Sequence, residues 1–198
     1  MPIAITSRIA DTATPTVEPI LLAEAKLHCR VDISADDDLI TALIVSARQY
    51  CERITGRTLA QRTMVASYDG FPQNGQDFII PFSPVTAVSS VKYWSREGVD
   101  TTMTVSTDYR LDLNLVPARV RLPVTKALWA DTAYVDDAVR VSFSAGAATT
   151  PAAAKQAMLL LIAHWYEHRE SVTIEPSNKV HMTTTALLDT LRIGGVAL

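Results

Sequence analysis

The hydrophobic periodicity of this chain changes twice, and that change limits the possible folds more than any single motif. Residues 20–60 and 147–172 carry apolar side chains at helical spacing, whereas residues 61–146 contain short β-branched and aromatic runs separated by turn residues. One backbone conformation cannot satisfy both periods. The order helix, strand, helix therefore predicts an α+β chain in which a β-rich insert interrupts a small helical bundle.

The bundle is predicted to contain three helices. The first spans residues 21–30, and the second runs from about residue 36 to residue 54, with Ser34 as its N-cap and Gly56 as its stop. The third begins at Pro151 and runs to about residue 170. It is apolar on several sides, so the N-terminal helices, other subunits or both must cover it. The residues predicted to serve helix packing or a subunit interface are Met158, Leu161, Ile162, Trp165, Tyr166 and Arg169.

Between the helices, the prolines inside or beside the predicted strands indicate a small open sheet rather than a closed barrel. The two ends of the chain show weaker patterns. Residues 1–19 are predicted to form an extended or loosely ordered N-terminal arm, and residues 173–198 an extended C-terminal tail. Within that tail, the late apolar cluster around Leu187 and Leu188 could form one or two short amphipathic turns.

Composition excludes several classes of function. The net charge is −3 and the pI about 5.8, so no overall basic field attracts nucleic acid. The N-terminus lacks a signal peptide, and the apolar run at 157–163 is too short to cross a bilayer. Cys29 and Cys51 lie among apolar neighbours and are predicted to be buried free thiols in a reducing compartment. These features predict a soluble intracellular protein without membrane partners.

The stretch HWYEH at residues 164–168 is the strongest candidate for enzyme chemistry. It fits the H-x-x-E-H pattern of zinc metallopeptidases, in which His164 and His168 would share one helix face and Glu167 would activate a water molecule. A catalytic zinc needs a third protein ligand. The later candidates, Glu175 and His181, lie in segments without a clear secondary-structure pattern, so the zinc metallopeptidase is a remote alternative.

Other enzyme signatures are absent from the sequence. The chain has no G-x-S-x-G motif, no Walker A loop and no G-x-G-x-x-G motif. The run Asp36-Asp37-Asp38 is explained by the dipole of the following helix. The aromatic residues of the insert lack interleaved arginines and are predicted to pack in the core or at an interface; they are Tyr93, Trp94, Tyr109, Trp129 and Tyr134. We therefore expect a binding or structural protein that is not an enzyme and uses no cofactor or metal.

The order of short motifs from about residue 17 to 192 resembles the head–tail connector (adaptor) proteins of tailed phages and phage-like gene transfer agents, in the gp6-like and phiE125 gp8-like families. In the N-terminal helices the matching residues are Glu24, Ala25, Lys26, Arg30, Val31, Asp32, Tyr50, Glu52, Thr55, Gly56 and Arg57. In the third helix they are Ala154, Lys155, Ala157, His164, Trp165, Tyr166, Glu167, Arg169 and Glu170. The chain departs from the family pattern at its end, where Leu191-Arg192 stands in place of a Tyr-Arg pair.

The resemblance implies a structural adaptor rather than an enzyme. Such proteins assemble in the bacterial cytoplasm as a ring, typically of about twelve copies, beneath the portal protein. In the head–tail neck the ring extends the channel for double-stranded DNA, which passes without specific binding, and docks a stopper or another tail-proximal protein. The residues predicted to bind the portal are Leu187, Leu188, Leu191 and Arg192. The main alternative is a tail-side completion or stopper protein.

Overall fold

The two periodicities of the sequence correspond to two compact units. A computed structural model of the chain describes residues 7–11, 13–168 and 178–193. Contacts between residues divide the chain into a β unit, Met1–Thr14 with Gln61–Gly146, and a helical unit, Pro15–Ala60 with Ala147–Leu198. Helices and antiparallel sheets are both present, so the predicted α+β class is confirmed.

The helical unit is built around an apolar stripe along the second helix. Ile40, Ile44, Ala47 and Cys51 are buried, and they pack with apolar residues of the third helix. Full burial of an aliphatic side chain of this size contributes about 1.5–3 kcal/mol. The helices within the described residues are α1 (Leu22–Cys29), α2 (Asp37–Thr55), α3 (Ala152–Glu167) and α4 (Asn178–Asp189).

Local residues determine where these helices begin and end. Arg30 and Gly56 both adopt left-handed backbone conformations and end α1 and α2, respectively. The predicted N-cap of α2 was wrong: the cap position is Asp36, not Ser34, and Asp36 makes no side-chain cap hydrogen bond. Its carboxylate instead accepts a hydrogen bond from the Tyr166 hydroxyl at 2.6 Å, a partner that sequence-local reasoning cannot identify.

The predicted extended C-terminal tail was also wrong. Residues Asn178–Asp189 form α4, which contacts α3 and α2, and Leu188 is completely buried in the core of the helical unit. The single late apolar cluster is therefore the buried face of one helix. The rest of the predicted tail, residues 173–177 and 194–198, lies outside the described residues.

The β unit contains two open antiparallel sheets within the described residues, where one was expected. The larger sheet has the order β1-β2-β8-β4-β5, and the smaller has the order β3-β7-β6. The strands are β1 (Ser7–Asp11), β2 (Arg62–Tyr68), β3 (Phe78–Ile79), β4 (Val85–Trp94), β5 (Asp100–Thr102), β6 (Arg110–Asp112), β7 (Arg119–Arg121) and β8 (Val139–Ala145).

Strand β8 lies at the centre of the larger sheet and shows why its sequence forms a strand. Its buried residues alternate with partly exposed ones, so Val139, Val141, Phe143 and Ala145 all face the core. The same alternation along β2 buries one face of that strand, and β4 pairs with the other side of β8 with two register shifts. The core of the β unit is therefore a continuous apolar layer under this sheet.

The predicted N-terminal arm requires a correction. Ser7–Asp11 is strand β1, which pairs antiparallel with β2 from Ser7 opposite Tyr68 to Asp11 opposite Met64. The sequence of this segment lacks the alternation of apolar and polar residues that predicts a half-buried strand. Its backbone pairing with β2 therefore defines the strand. Among the described residues, no helix has the length and apolar character needed to span a membrane.

Candidate functional site

The family-like motif at the end of α2 forms a buried polar network. The side chains of Arg48 and Glu52, one helical turn apart, are both buried and are joined by a 2.9 Å ion pair. Arg48 also pairs with Glu18, at 2.8 Å from Nε. A buried charge that lost its partner would be strongly destabilising. The network therefore fixes the segment before α1 against α2.

Glu52 has a second function in directing the chain beyond α2. Its other carboxylate oxygen accepts hydrogen bonds from the backbone N–H groups of Leu59, at 2.7 Å, and Ala60, at 3.4 Å. Buried backbone donors require such partners. From sequence, Glu52 is only one of the residues that carry the resemblance, and Arg48 is not predicted to have a role. The i, i+4 spacing of Arg48 and Glu52 was the available signal.

The rest of this motif holds the C-terminal end of α4. The backbone carbonyl of Thr55 accepts a hydrogen bond from the N–H of Ile193 at 3.0 Å. The guanidinium Nε of Arg57 donates to the carbonyl of Leu191. Gly56, between them, adopts a left-handed conformation with φ of 67°. The turn after α2 and the turn after α4 are therefore joined by backbone and side-chain hydrogen bonds.

The HWYE motif of α3 is also used within the helical unit. Trp165 packs edge-to-face on Tyr50, with ring centroids 6.1 Å apart, and Tyr166 donates its hydroxyl to Asp36. Met158, Leu161 and Ile162 are buried in the core of the same unit. Of the residues proposed for helix packing or a subunit interface, these three are not available to a second subunit, and Arg169 lies outside the described residues.

The structure separates the four residues predicted to bind the portal. Leu188 is completely buried in its own core and cannot act as a docking anchor, so that part of the prediction was wrong. Leu187 and Leu191 are partly buried against the same core. Arg192 is exposed and lies 3.8 Å from Asp189. Only Arg192 and the open edges of the two leucines face solvent.

The two histidines of HWYEH lie together, as the helical spacing predicted. The ring centroids of His164 and His168 are 4.6 Å apart, and His168 Nδ1 lies 3.0 Å from the carbonyl oxygen of His164. Within the described residues, no group of three or more His, Cys, Asp or Glu side chains is placed to hold a metal ion. The third-ligand candidates, Glu175 and His181, fall outside the described residues and side chains.

Burial disfavours the thiolate form of both cysteines. Burial, with a smaller contribution from Glu52, raises the pKa of the Cys51 thiol to about 12. Cys29 is only partly buried, and its pKa is raised by burial and then by the nearby Glu167 carboxylate. The free-thiol prediction agrees with this geometry, although Cys29 is less buried than expected.

Arginines accompany two of the aromatic residues of the β unit, contrary to the expectation from sequence. Arg140 of β8 lies over the ring of Trp94, 5.3 Å from its centroid, and Arg96 lies 5.2 Å from the ring centroid of Tyr134. Cross-strand pairing of β4 and β8 brings the first pair together, so spacing along the sequence could not reveal it. Tyr109 and Trp129 are buried, as expected of core residues.

Comparison with known proteins connects these features to a family. Residues 19–113 match the family model of the phage gp6-like head-tail connector protein. That segment includes α1, α2 and the Arg48–Glu52 pair. No curated protein matches the chain.

Solved structures share the fold over almost the whole chain. The chain is similar to a protein in the neck of an empty gene transfer agent particle computed with C6 symmetry, with a TM-score of 0.78 and 21% identity over 96% of this chain and 97% of that chain. A chain in the virion of a native gene transfer agent particle gives a TM-score of 0.75 at 22% identity, and one in the native neck computed with C12 symmetry gives 0.70 at 21%, each over 96% of this chain and 97% of that chain. Residues 19–113, a little under half of the chain, are therefore similar to the phage gp6-like head-tail connector family.

Proposed function

We propose that this protein is the adaptor subunit of a head–tail neck, which forms a ring beneath the portal protein and docks the next tail component. The family match supports a structural neck component, and the observation that carries the finer proposal is the likeness of the fold to neck proteins over 96% of the chain. One of those necks was computed with C12 symmetry, which supports a ring of twelve copies.

The charge of the chain suits a DNA channel. Lysines and arginines that contact phosphates hold DNA in place, and the affinity of a protein for DNA rises with the number of phosphates that they neutralise. The protein carries a net charge of −3, and many of its described arginines are paired with carboxylates, as in the Arg48–Glu52 and Arg121–Asp77 pairs. A ring of such subunits would let double-stranded DNA slide without specific binding.

The first experiment mixes the purified protein with the portal ring of the same particle and measures the mass of the complex. We expect about twelve copies per portal ring, by analogy with the neck that was computed with C12 symmetry. Absence of a complex with the full chain would contradict the adaptor proposal. Binding to the tail tube instead would identify a tail-side completion or stopper protein.

The portal contact is proposed to use the open end of α4, around Leu191 and Arg192. Deleting residues 183–198 is an unsuitable test, because it would remove Leu188 from the core and the partners of Thr55 and Arg57. Arg192→Glu keeps the buried residues and reverses one exposed charge. We expect it to weaken portal binding about tenfold, the effect of losing roughly 1.4 kcal/mol.

Arg96→Glu is the matched control, since Arg96 is an exposed arginine of the β unit. It should leave portal binding unchanged. Equal binding by wild type and Arg192→Glu would exclude this arginine from the portal contact while leaving the adaptor proposal intact.

A further inference from the structure

The connection between β7 and β8 forms an exposed apolar ridge. In this β ridge, residues 122–128, the side chains of Val124 and Leu128 are 88% and 65% exposed. Clefts of about 390 Å³ and 430 Å³ flank it, and Leu122 and Lys126 line both clefts. The ridge and its clefts are therefore one continuous surface, of the kind that marks an interaction site.

Contacts beneath the ridge hold it in one conformation. The following residue, Trp129, stacks on Phe71 with ring centroids 5.0 Å apart and donates its indole N–H to the carbonyl of Gln76 at 2.8 Å. Lys126 pairs with Asp108 at 2.6 Å. A surface that is already ordered loses little conformational entropy on binding, which favours association.

The cleft beside Val124 presents an exposed cation. Arg121 is paired with Asp77 at 2.9 Å and with Asp112 at 3.3 Å. Arg110 is exposed, and its described hydrogen bond runs from Nε to the carbonyl of Leu122 at 3.3 Å, with no ion pair among the described residues. The chemistry of this surface therefore suits a partner that is apolar and carries carboxylates.

The chain itself carries a surface of that chemistry. In the α1–α2 surface, residues 27–39, Leu27 and Ile33 are 81% and 62% exposed. The carboxylates of Asp32 and Asp38 are exposed beside them in the sequence. Aliphatic side chains flanked by carboxylates complement an aliphatic ridge flanked by an arginine.

We propose that the α1–α2 surface of one copy packs on the β ridge of the next copy and makes the ring contact. This inference rests on the proposed adaptor function. A ring needs a heterologous contact, in which two different patches of the same chain meet on neighbouring copies. The apolar residues and the opposite charges of the two surfaces supply such a pair.

The apolar half of the contact is tested with Ile33→Asp and Leu128→Asp. Each variant is titrated onto the portal ring, and the number of bound copies is measured by native mass spectrometry. We expect partly filled portal rings and a half-saturating concentration raised about tenfold or more, because a charge replaces an interface anchor. Val99→Asp is the control, since Val99 is an exposed apolar turn residue that lines neither cleft.

The charged half of the contact is tested by reversing the sign of its charges in the same chain. Arg110→Glu should reduce the number of copies bound per portal ring at a given concentration. The double change Asp32→Lys and Asp38→Lys should have the same effect. Combining all three changes should restore filling, because every junction of the ring then has both charges reversed. Thermal unfolding of each variant checks that the exposed substitutions leave the fold intact.

The outcomes separate the two proposals. If the wild-type protein does not bind the portal, the adaptor function fails first. If the wild type fills the ring and the Ile33 and Leu128 variants fill it equally, the ring contact lies elsewhere and this inference is wrong. Normal rings of Leu128→Asp that no longer bind the next tail component would also overturn it, and would assign the β ridge to that component.

Discussion

The helical unit and the β unit differ in whether their most distinctive side chains are buried or exposed. In the helical unit, several family-like motif residues are buried, and the Arg48–Glu52 pair and Tyr166 hold neighbouring segments together. In the β unit, the interior is aromatic and apolar, while large apolar side chains such as Val124 are exposed on connections. The recognisable motif residues of α2 and α3 therefore maintain the fold, whereas the β ridge carries no motif.

Trp129→Ala should have the largest effect and should act on the β unit. Trp129 packs against Phe71 and Phe78, and its removal leaves a cavity and an unpaired carbonyl at Gln76. We expect the free energy of unfolding to fall by about 3–5 kcal/mol. Hydrogen exchange should accelerate in β3, β7 and β8. Leu128→Ala, next to it but exposed, is the control and should have little effect.

Glu52→Gln should destabilise the helical unit by removing a charge, since the volume of the side chain hardly changes. The amide keeps the shape of the side chain but leaves Arg48 with Glu18 as its remaining described ion-pair partner. We expect a loss of about 2–3 kcal/mol, because the buried Arg48 guanidinium loses its buried carboxylate partner and keeps only the partly exposed Glu18. The control Glu24→Gln breaks the partly exposed pair with Lys155 and should cost less than about 1 kcal/mol. Equal losses of unfolding free energy in the two variants would mean that the buried ion pair contributes no more to stability than the partly exposed one.

Gly75→Ala should reveal how closely the turn before β3 approaches the β ridge. Gly75 has φ of 67°, and a Cβ at this position would overlap the carbonyl oxygen of Ala127. We expect a loss of about 2–3 kcal/mol from backbone strain and overpacking together. Gly98, with φ of 75° and open space around it, provides the comparison. Gly98→Ala should cost about 1 kcal/mol, so that the difference measures the clash.

The reactivity of the two cysteines reports on burial in the helical unit. Because burial raises the pKa of Cys51 to about 12, a thiol reagent at pH 8 should leave it unmodified, while Cys29 reacts slowly. Glu167→Gln should speed the reaction of Cys29, since it removes a charge that raises the pKa of that thiol. Glu97→Gln, in the β unit, should not. Fast labelling of Cys51 in the folded protein would contradict its burial.

The same pKa shift gives a pH dependence with a definite sign. A thiol with a raised pKa in the folded state holds its proton more tightly there than in the unfolded chain. The contribution of Cys51 to stability is therefore complete below about pH 8.5, the pKa of an unperturbed thiol, and is lost as pH rises toward 12. Urea unfolding at pH 8 and pH 10 would measure this decrease, and Cys51→Ala should reduce it.

Strong local patterns predicted several elements well. The stripe from Ile40 to Ile54 and the stop at Gly56 located α2 to within a residue at each end, since these signals act within one helix. The N-cap of α2 was misassigned because Tyr166, 130 positions away, takes the Asp36 carboxylate. Strand β1 was missed because pairing with β2, rather than its own alternation, defines it.

The sequence by itself determined the α+β class, the helix–strand–helix order of its main segments and the resemblance to head–tail connectors, because periodicity and motif order are properties of neighbouring residues. Only the tertiary structure decided which side chains face solvent. Leu188 and Leu128 are the same residue type and each follows an apolar residue, yet Leu188 of α4 is buried in the core of the helical unit and Leu128 is exposed on the β ridge. Burial depends on segments far away in the chain, and so the proposed contact surfaces could be located only after the chain was folded.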